Sequence, residues 1–297
     1  MRLILSRKGF DSSTGGVPSP IFQDGTMISL PIPSRNQNSW TYSQISKAGK
    51  NLGQLVQAFP GSKIAAAHNA HLDPDLEHTS IKRKNGWKPA FGQAGAAQRH
   101  LQNNGVKKND LFLFFGLFQH VSVTGLKIVH QGRPWIHALF GWLLVDQVVS
   151  VKSINAAYPS WLASHPHLRK NYANNTIYIA QKNLSSVHPS LAGIPGGGVF
   201  DKLRSGLVLS APIPNQLPSV WQLPAWFMHP NSGLHLTYHS QTILKNGHQR
   251  WTLVGNGSCH LRTVGQGQEF VLDPSQYYPL AKAWAVKVLS LAKGNFR

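Results

Sequence analysis

Apolar residues come along this chain in short blocks rather than in long periodic stretches. Leu3-Ile4-Leu5 opens it, a continuous triplet that predicts a buried strand. Pro20-Ile21-Phe22 and Met27 to Pro33 flank Asp24-Gly25-Thr26, a pattern that predicts a β-hairpin. Between Ser43 and Phe59 the apolar positions Ile45, Leu52, Leu55, Val56 and Phe59 fit one helix face. A second, short helix is expected from Ala94 to Leu101, stopping near Asn103-Asn104-Gly105. The strongest signal follows. Leu111-Phe112-Leu113-Phe114-Phe115-Gly116-Leu117-Phe118 is unbroken apolar sequence and predicts a strand buried on both faces. Trp135 to Val149 returns as a second long strand after a polar excursion.

Further strands are expected at Asn175–Ala180 and Leu207–Ser210, and a terminal helix at Leu280–Leu291. Residues 211–230 are rich in proline and hold Trp221 and Trp226, which predicts an irregular segment covering the core. No internal repeat or linker appears, so one compact unit over residues 1–297 is expected. The fold class is α+β: a mixed or antiparallel sheet, or a partly closed barrel, with several short helices around it. The paired strands of residues 106–150 look like the core of PUA-like barrels, which include readers of modified bases. Such a core would span about residues 106–210.

Charge alters this picture more than any single motif. The chain carries 29 Lys+Arg against 10 Asp+Glu, a net charge of +19, and the excess owes as much to scarce acids as to abundant bases. Such a surface attracts polyanions, so a nucleic-acid or nucleotide partner is expected. The lone Cys259 excludes an internal disulfide and a cysteine-based zinc cluster. The longest apolar runs fall far short of the roughly 20 residues of a membrane span, and no signal-peptide pattern opens the chain. A soluble, cytoplasmic protein is expected, without a membrane partner.

The candidate chemistry begins at the first strand's end. Arg7, Lys8, Asp11, Ser12 and Ser13 precede Gly15-Gly16, which concentrates charge, hydroxyls and permissive backbone in one loop. It is neither a Walker loop nor G-x-G-x-x-G, and a polar turn between core strands would use the same residue types. In so acid-poor a chain Asp11 stands out as an acid/base or nucleophile, with Arg7, Lys8, Ser12 and Ser13 holding phosphate or ribose. Asp75 is a second catalytic candidate. Asp73, Gln93, Gln98, Trp142 and Glu269 complete the expected substrate pocket, with Gln268 beside Glu269 in a Gly-rich turn suited to a base edge. Lys82-Arg83-Lys84 with Trp87 and Lys88 is the densest basic run beside an aromatic, the combination that grips phosphate and stacks bases. His68, His71 and His78 interleave with Asp73, Asp75 and Glu77, but the spacing matches no standard metal motif and no metal is assigned. No cofactor fingerprint is present. Two polar segments invite contacts without a defined role: Trp161, His165, His167, Arg169 and Lys170, and His235, Tyr238, His239 and Trp251.

Several stretches together carry a resemblance. Leu5-Ser6-Arg7-Lys8-Gly9-Phe10-Asp11-Ser12-Ser13, then Gly15-Gly16 and Pro18-Ser19-Pro20, are joined by Leu30-Pro31-Ile32-Pro33, Asp73-Pro74-Asp75-Leu76 and Phe91-Gly92-Gln93-x-Gly95-Ala96-Ala97-Gln98. Asp110-Leu111-Phe112-Leu113-Phe114-Phe115-Gly116, Phe140-Gly141-Trp142-Leu143 and Gly267-Gln268-Glu269-Phe270 extend it across essentially the whole chain. This resembles the third nucleotide-modification-associated domain family. The resemblance implies a place in prokaryotic or phage systems that modify DNA bases, and a nucleotide or base in DNA as ligand. It supplies neither a reaction nor catalytic residues. The expected function is action on a nucleotide or a DNA base through the opening loop. The alternatives are a non-catalytic reader of modified bases and a basic DNA-binding subunit that works with other proteins of such a system.

Overall fold

The two long apolar runs lie side by side at the centre of a nine-stranded mixed sheet. The structure is a computed structural model and describes all residues except 12–13, 38, 61, 126, 152–157, 170, 229–235, 242, 245–246, 256, 273–277 and 295–297. In chain order come β1 (Leu3–Arg7), β2 (Ser19–Ile21), a two-stranded ribbon of β3 (Ser46–Lys47) and β4 (Lys50–Asn51), and α1 (Leu52–Ala58). They are followed by β5 (Ala90–Gln93), α2 (Gly95–Asn103), β6 (Leu111–Thr124), β7 (Lys127–His130), β8 (Ile136–Ser150), β9 (Thr176–Ala180) and β10 (Gly197–Val199). The rest is β11 (Val220–Pro224), β12 (Trp251–Val254), β13 (Ser258–Arg262), β14 (Glu269–Leu272) and α3 (Tyr278–Ser290).

The main sheet runs β14-β1-β6-β8-β9-β5, with β2 and β7 attached to β6 and β10 to β8. The β1–β6 and β2–β6 pairs are parallel; the others are antiparallel. Asp110 locks the start of the central pair. Its carboxylate accepts the backbone N–H of Arg2 at 2.6 Å and of Lys107 at 2.9 Å, while Leu111 N donates to Arg2 O. The apolar run of β6 is buried on both sides, which explains why it shows no alternation. Phe112 and Phe114 meet Phe91 of β5 at ring-centroid distances of 5.2 Å. After a register shift between Phe114 and Phe115, the Phe115 ring instead meets Trp221 and Phe270.

Phe91 lies on one edge strand and Phe112 and Phe114 on the central strand, so the sheet curls onto one face. The edge strands β5 and β14 then meet through side chains rather than a ladder: Gln93 Nε2 donates to Glu269 Oε1 at 2.6 Å. No closed barrel forms among the described residues. The observed architecture is an α+β fold with one large mixed sheet, a three-stranded sheet β11-β13-β12 and few helices. None of the described helices is long and apolar enough to cross a membrane.

Other expectations change in detail. The helix expected over 43–59 shrinks to α1, because Ala48 and Gly49 take positive φ in the turn of the β3–β4 ribbon. Asn51 then caps α1 by accepting Gln54 N–H. The turn at Asp24-Gly25-Thr26 forms, with Asp24 accepting from Thr26 N and Oγ1, but β2 pairs in parallel with β6 and meets Met27 only in a single bridge. Leu207–Ser210 makes isolated bridges instead of a strand, and the proline-rich segment contains β11 with Trp221 fully buried. The polar excursion after Phe118 is the end of β6 hairpinned to β7.

Candidate functional site

Period-two alternation sends Arg7, which ends β1, and Lys8, which follows it, to opposite faces of the sheet. The Arg7 guanidinium lies 5.8 Å from the rings of both Phe115 and Phe270 and donates to the carbonyls of Gly265 (2.8 Å) and Val264 (3.0 Å). The Lys8 ammonium lies on the concave face, 4.6 Å above the Phe91 ring, and pairs with Glu269 Oε1 at 2.7 Å. Ser6 sits opposite Glu269 in the β1–β14 register, so Glu269 shares the face of Lys8. Glu269 is 1 % exposed and collects Lys8 and Gln93 on one oxygen, while its buried Oε2 has no hydrogen-bond partner. Gln93 is oriented from both ends, since its Oε1 accepts Ala94 N and its Nε2 also reaches Gln268 Oε1 at 3.3 Å.

A cavity of about 1010 Å³ opens where β1 and β5 end and β14 begins. The loop after β1 forms one wall. Asp11 turns it by accepting Thr14 N–H on Oδ1 at 2.6 Å, and Asp11 N donates to Thr14 O. Gly15 is required there: its φ is +89°, and a Cβ would lie 2.4 Å from the buried Phe10 ring. The exposed Arg35 stands at the rim, and Tyr172 and Tyr238 add aromatic surface.

The opposite wall is built on the free side of β5. Asp75 bridges Ala90 in both backbone directions, which carries Asp73 alongside Gly92, whose N–H donates to Asp73 Oδ1 at 2.7 Å. Three histidine rings surround the Asp73 carboxylate. His165 Nε2 lies 3.4 Å from Oδ1, and His167 Nε2 and His71 Nε2 lie 3.6 and 3.8 Å from Oδ2. His165 and His167 come from a single 3-10 turn in which His165 Nδ1 accepts His167 N–H. Gly92 makes room, since a Cβ there would fall 2.3 Å from the His167 ring. Burial acts against a charge on Asp73, but the His165 contact and the His167 and His71 rings outweigh it and hold the carboxyl below its usual range. Burial also lowers both of those rings, His167 to about 4, despite the opposing pull of Asp73.

Of the expected pocket residues, Arg7, Lys8, Asp11, Asp73, Gln93 and Glu269 are therefore brought to one cavity. Asp75 is not. Arg83 grips its two oxygens at 2.7 and 2.6 Å, Trp87 Nε1 lies 3.4 Å from Oδ2, and the carboxylate faces away from the cavity in a closed knot. The basic run divides accordingly. Arg83 also donates to the His78 and Glu77 carbonyls and stacks 4.3 Å from the Trp87 ring, whereas Lys82, Lys84 and Lys88 are exposed. Gln98 is buried and accepts from Tyr178 OH at 3.1 Å. Trp142 is fully buried against Phe200 and donates to Pro195 O, so neither residue lines the cavity. Both belong to the core because their strand and helix faces turn inward. Among the clustered histidines only His71 reaches the cavity; His68 Nδ1 accepts Ala65 N–H, and His78 packs edge-on to Trp87. Ser12, Ser13, Lys170 and His235 lie outside the described residues.

Tyr172 and Arg35 were not singled out from the sequence, and His167 only as a member of a polar segment without a defined role. The sole signal for His167 was His165-Pro166-His167, a dense histidine pair in that segment.

The family described as nucleotide modification associated domain 3 matches residues 2–273. No curated protein and no solved structure matches the chain.

Proposed function

Starting from the chain's membership of the nucleotide modification associated domain 3 family, we propose that it is an enzyme acting on a nucleotide, or on a base of DNA, bound in the cavity at the ends of β1, β5 and β14. The observation that carries this is the convergence of Asp11, Asp73, Gln93 and Glu269 from four distant stretches onto one cavity. In a chain with ten acids, three of them line that cavity. Its volume of about 1010 Å³ suits a nucleotide or a flipped nucleotide unit.

The chain's own groups suggest how the ligand lies. Arg7 and Lys8 are held by Val264, Gly265 and Glu269, which makes them wall rather than a free phosphate grip. Arg35 is exposed at the rim, where phosphates can stay in water while a base enters. Deeper in, Glu269 Oε2 is a buried acceptor with no hydrogen-bond partner, suited to an amino or imino N–H of a base edge. Tyr172 and Tyr238 offer faces for stacking. Asp11, at the mouth of the opening loop, is the acid–base candidate.

The test is mass spectrometry of nucleotides and of DNA after incubation with the full chain and with Asp11→Asn. A mass change with the native chain that Asp11→Asn abolishes while remaining folded supports the proposal. Tight binding with no product supports a reader instead, and full activity in Asp11→Asn removes Asp11 from the mechanism.

A further inference from the structure

One group of side chains in the cavity wall has an arrangement that hydrogen bonding leaves incomplete. Asn175 Nδ2 donates to His167 O at 2.7 Å, which orients the amide and puts its Oδ1 against His167 Nδ1 at 2.6 Å. Nδ1 is therefore the protonated nitrogen. That leaves Nε2 as the ring nitrogen turned toward the Asp73 carboxylate, at 3.6 Å. In a buried site such a nitrogen and carboxylate are satisfied by a positive charge shared between them, a proton or a metal ion. Asp73 Oδ1 is already occupied by Gly92 N–H, which leaves Oδ2 as the oxygen next to His167 and His71.

The separations match a shared ion. With bonds of about 2.0–2.2 Å, ligand atoms around a tetrahedral or octahedral centre stand about 3–3.6 Å apart. Asp73 Oδ2 lies 3.6 Å from His167 Nε2 and 3.8 Å from His71 Nε2, and one ligand atom from each of the three residues falls within 4.8 Å of the others. The two carboxylate-to-imidazole distances reach that range on closing by a few tenths of an ångström, and the two imidazoles, within 4.8 Å of each other, approach further through rotation of the His71 ring, which is open to the cavity. The Nδ1–H to Asn175 bond is the outer support that metal-bound imidazoles usually have. His165 Nε2 is also buried without a hydrogen-bond partner, 3.4 Å from Oδ1 on the other side of the carboxylate.

We propose that His71, Asp73 and His167 bind one first-row divalent transition-metal ion at the cavity wall. Two imidazoles and a carboxylate favour zinc, iron, nickel or copper over magnesium or calcium. Three protein ligands leave coordination positions open, and the residues supplying them line the cavity. The site deepens the enzyme reading by placing a Lewis-acidic centre beside the ligand, yet it stands on the wall geometry alone.

The test uses the full chain, freed of metal with a chelator, and no nucleotide. Zinc and cobalt(II) are titrated calorimetrically, and the visible spectrum of the cobalt form is recorded. One equivalent per chain is expected, with a cobalt spectrum of mixed nitrogen and oxygen ligation. His71→Gln changes a ring open to the cavity and His167→Gln a buried one; each should weaken binding at least tenfold. If His167→Gln does not fold, His71→Gln decides. Absence of stoichiometric binding, or equal affinity in folded His71→Gln, overturns the site; several weak equivalents that survive His71→Gln would mark adventitious surface histidines and do the same. A failure here leaves the nucleotide turnover test unaffected.

Discussion

Asp75 and Arg83 show how a side chain's chemistry is decided by its partner. A carboxylate in a sequence this poor in acids attracts a catalytic reading, but Arg83 takes both its oxygens and Trp87 closes the side. Both side chains are nearly inaccessible, at 8 % and 3 % exposure. Removing one partner strands a buried charge, so Arg83→Ala should cost about 3–5 kcal/mol. Arg83→Lys, which keeps the charge without the two-pronged geometry, should cost less. Urea unfolding of the two variants checks the order; equal, small losses would show the pair to be dispensable. Gly92 is the counterpart in backbone form. Its missing Cβ is filled by the His167 ring, which is buried and held by Asn175. Gly92→Ala should therefore destabilise by about 1–3 kcal/mol through overpacking. It should also displace His167 from Asp73, so cobalt binding should weaken along with stability. Loss of stability with metal affinity unchanged would separate His167 from the site.

Between elements, His137 links β8 to the second sheet. Trp221 Nε1 of β11 donates to His137 Nδ1 at 2.9 Å, which requires that nitrogen to be unprotonated. Burial, with Arg7 nearby, lowers the ring to about 3 against 6.5 for the free side chain. His239 is lowered by burial to about 4 in the same part of the molecule. The unfolded chain thus binds more protons than the folded one below about pH 6.5. Stability from these rings is fully present above that pH and is lost as pH falls toward 4 and then 3. The depressed Asp73 carboxyl acts in a separate window, since its contribution is present above the unfolded carboxyl's roughly 3.9 and disappears only below it. Unfolding free energies at pH 7, 6, 5 and 4.5 should fall steadily. A flat profile over that range would show that these rings titrate in the folded state as they do in water.

Across the whole molecule, the densest exposed basic run of this +19 chain lies outside the cavity. The exposed Lys82, Lys84 and Lys88 stand apart from the cavity wall, where Arg7 and Lys8 are already bonded to protein groups. Replacing the three lysines with alanine should weaken DNA binding and flatten the slope of log K against log salt. Each phosphate that is no longer neutralised reduces that slope by about 0.9. Turnover of a free nucleotide should be unchanged, because these side chains do not line the cavity. A slope that stays the same would assign the electrostatic footprint to another face.

The amino-acid pattern by itself determined the strand-forming blocks, the turns and the net charge of +19. Continuous runs such as Leu111–Phe118 can be buried only on both faces, and Gly15 and Gly25 permit backbone that other residues resist. The opening motif was legible for the same local reason: its charges and glycines are neighbours in the chain. Tertiary structure alone decided which polar groups meet. Lys8 finds Glu269, His167 finds Asp73, and Asp75 is taken out of the cavity by Arg83. Hydrophobic periodicity reports a side chain's face over a few residues. Partners far apart along the chain depend on strand order, register and the curl that brings β5 to β14, which no local pattern encodes.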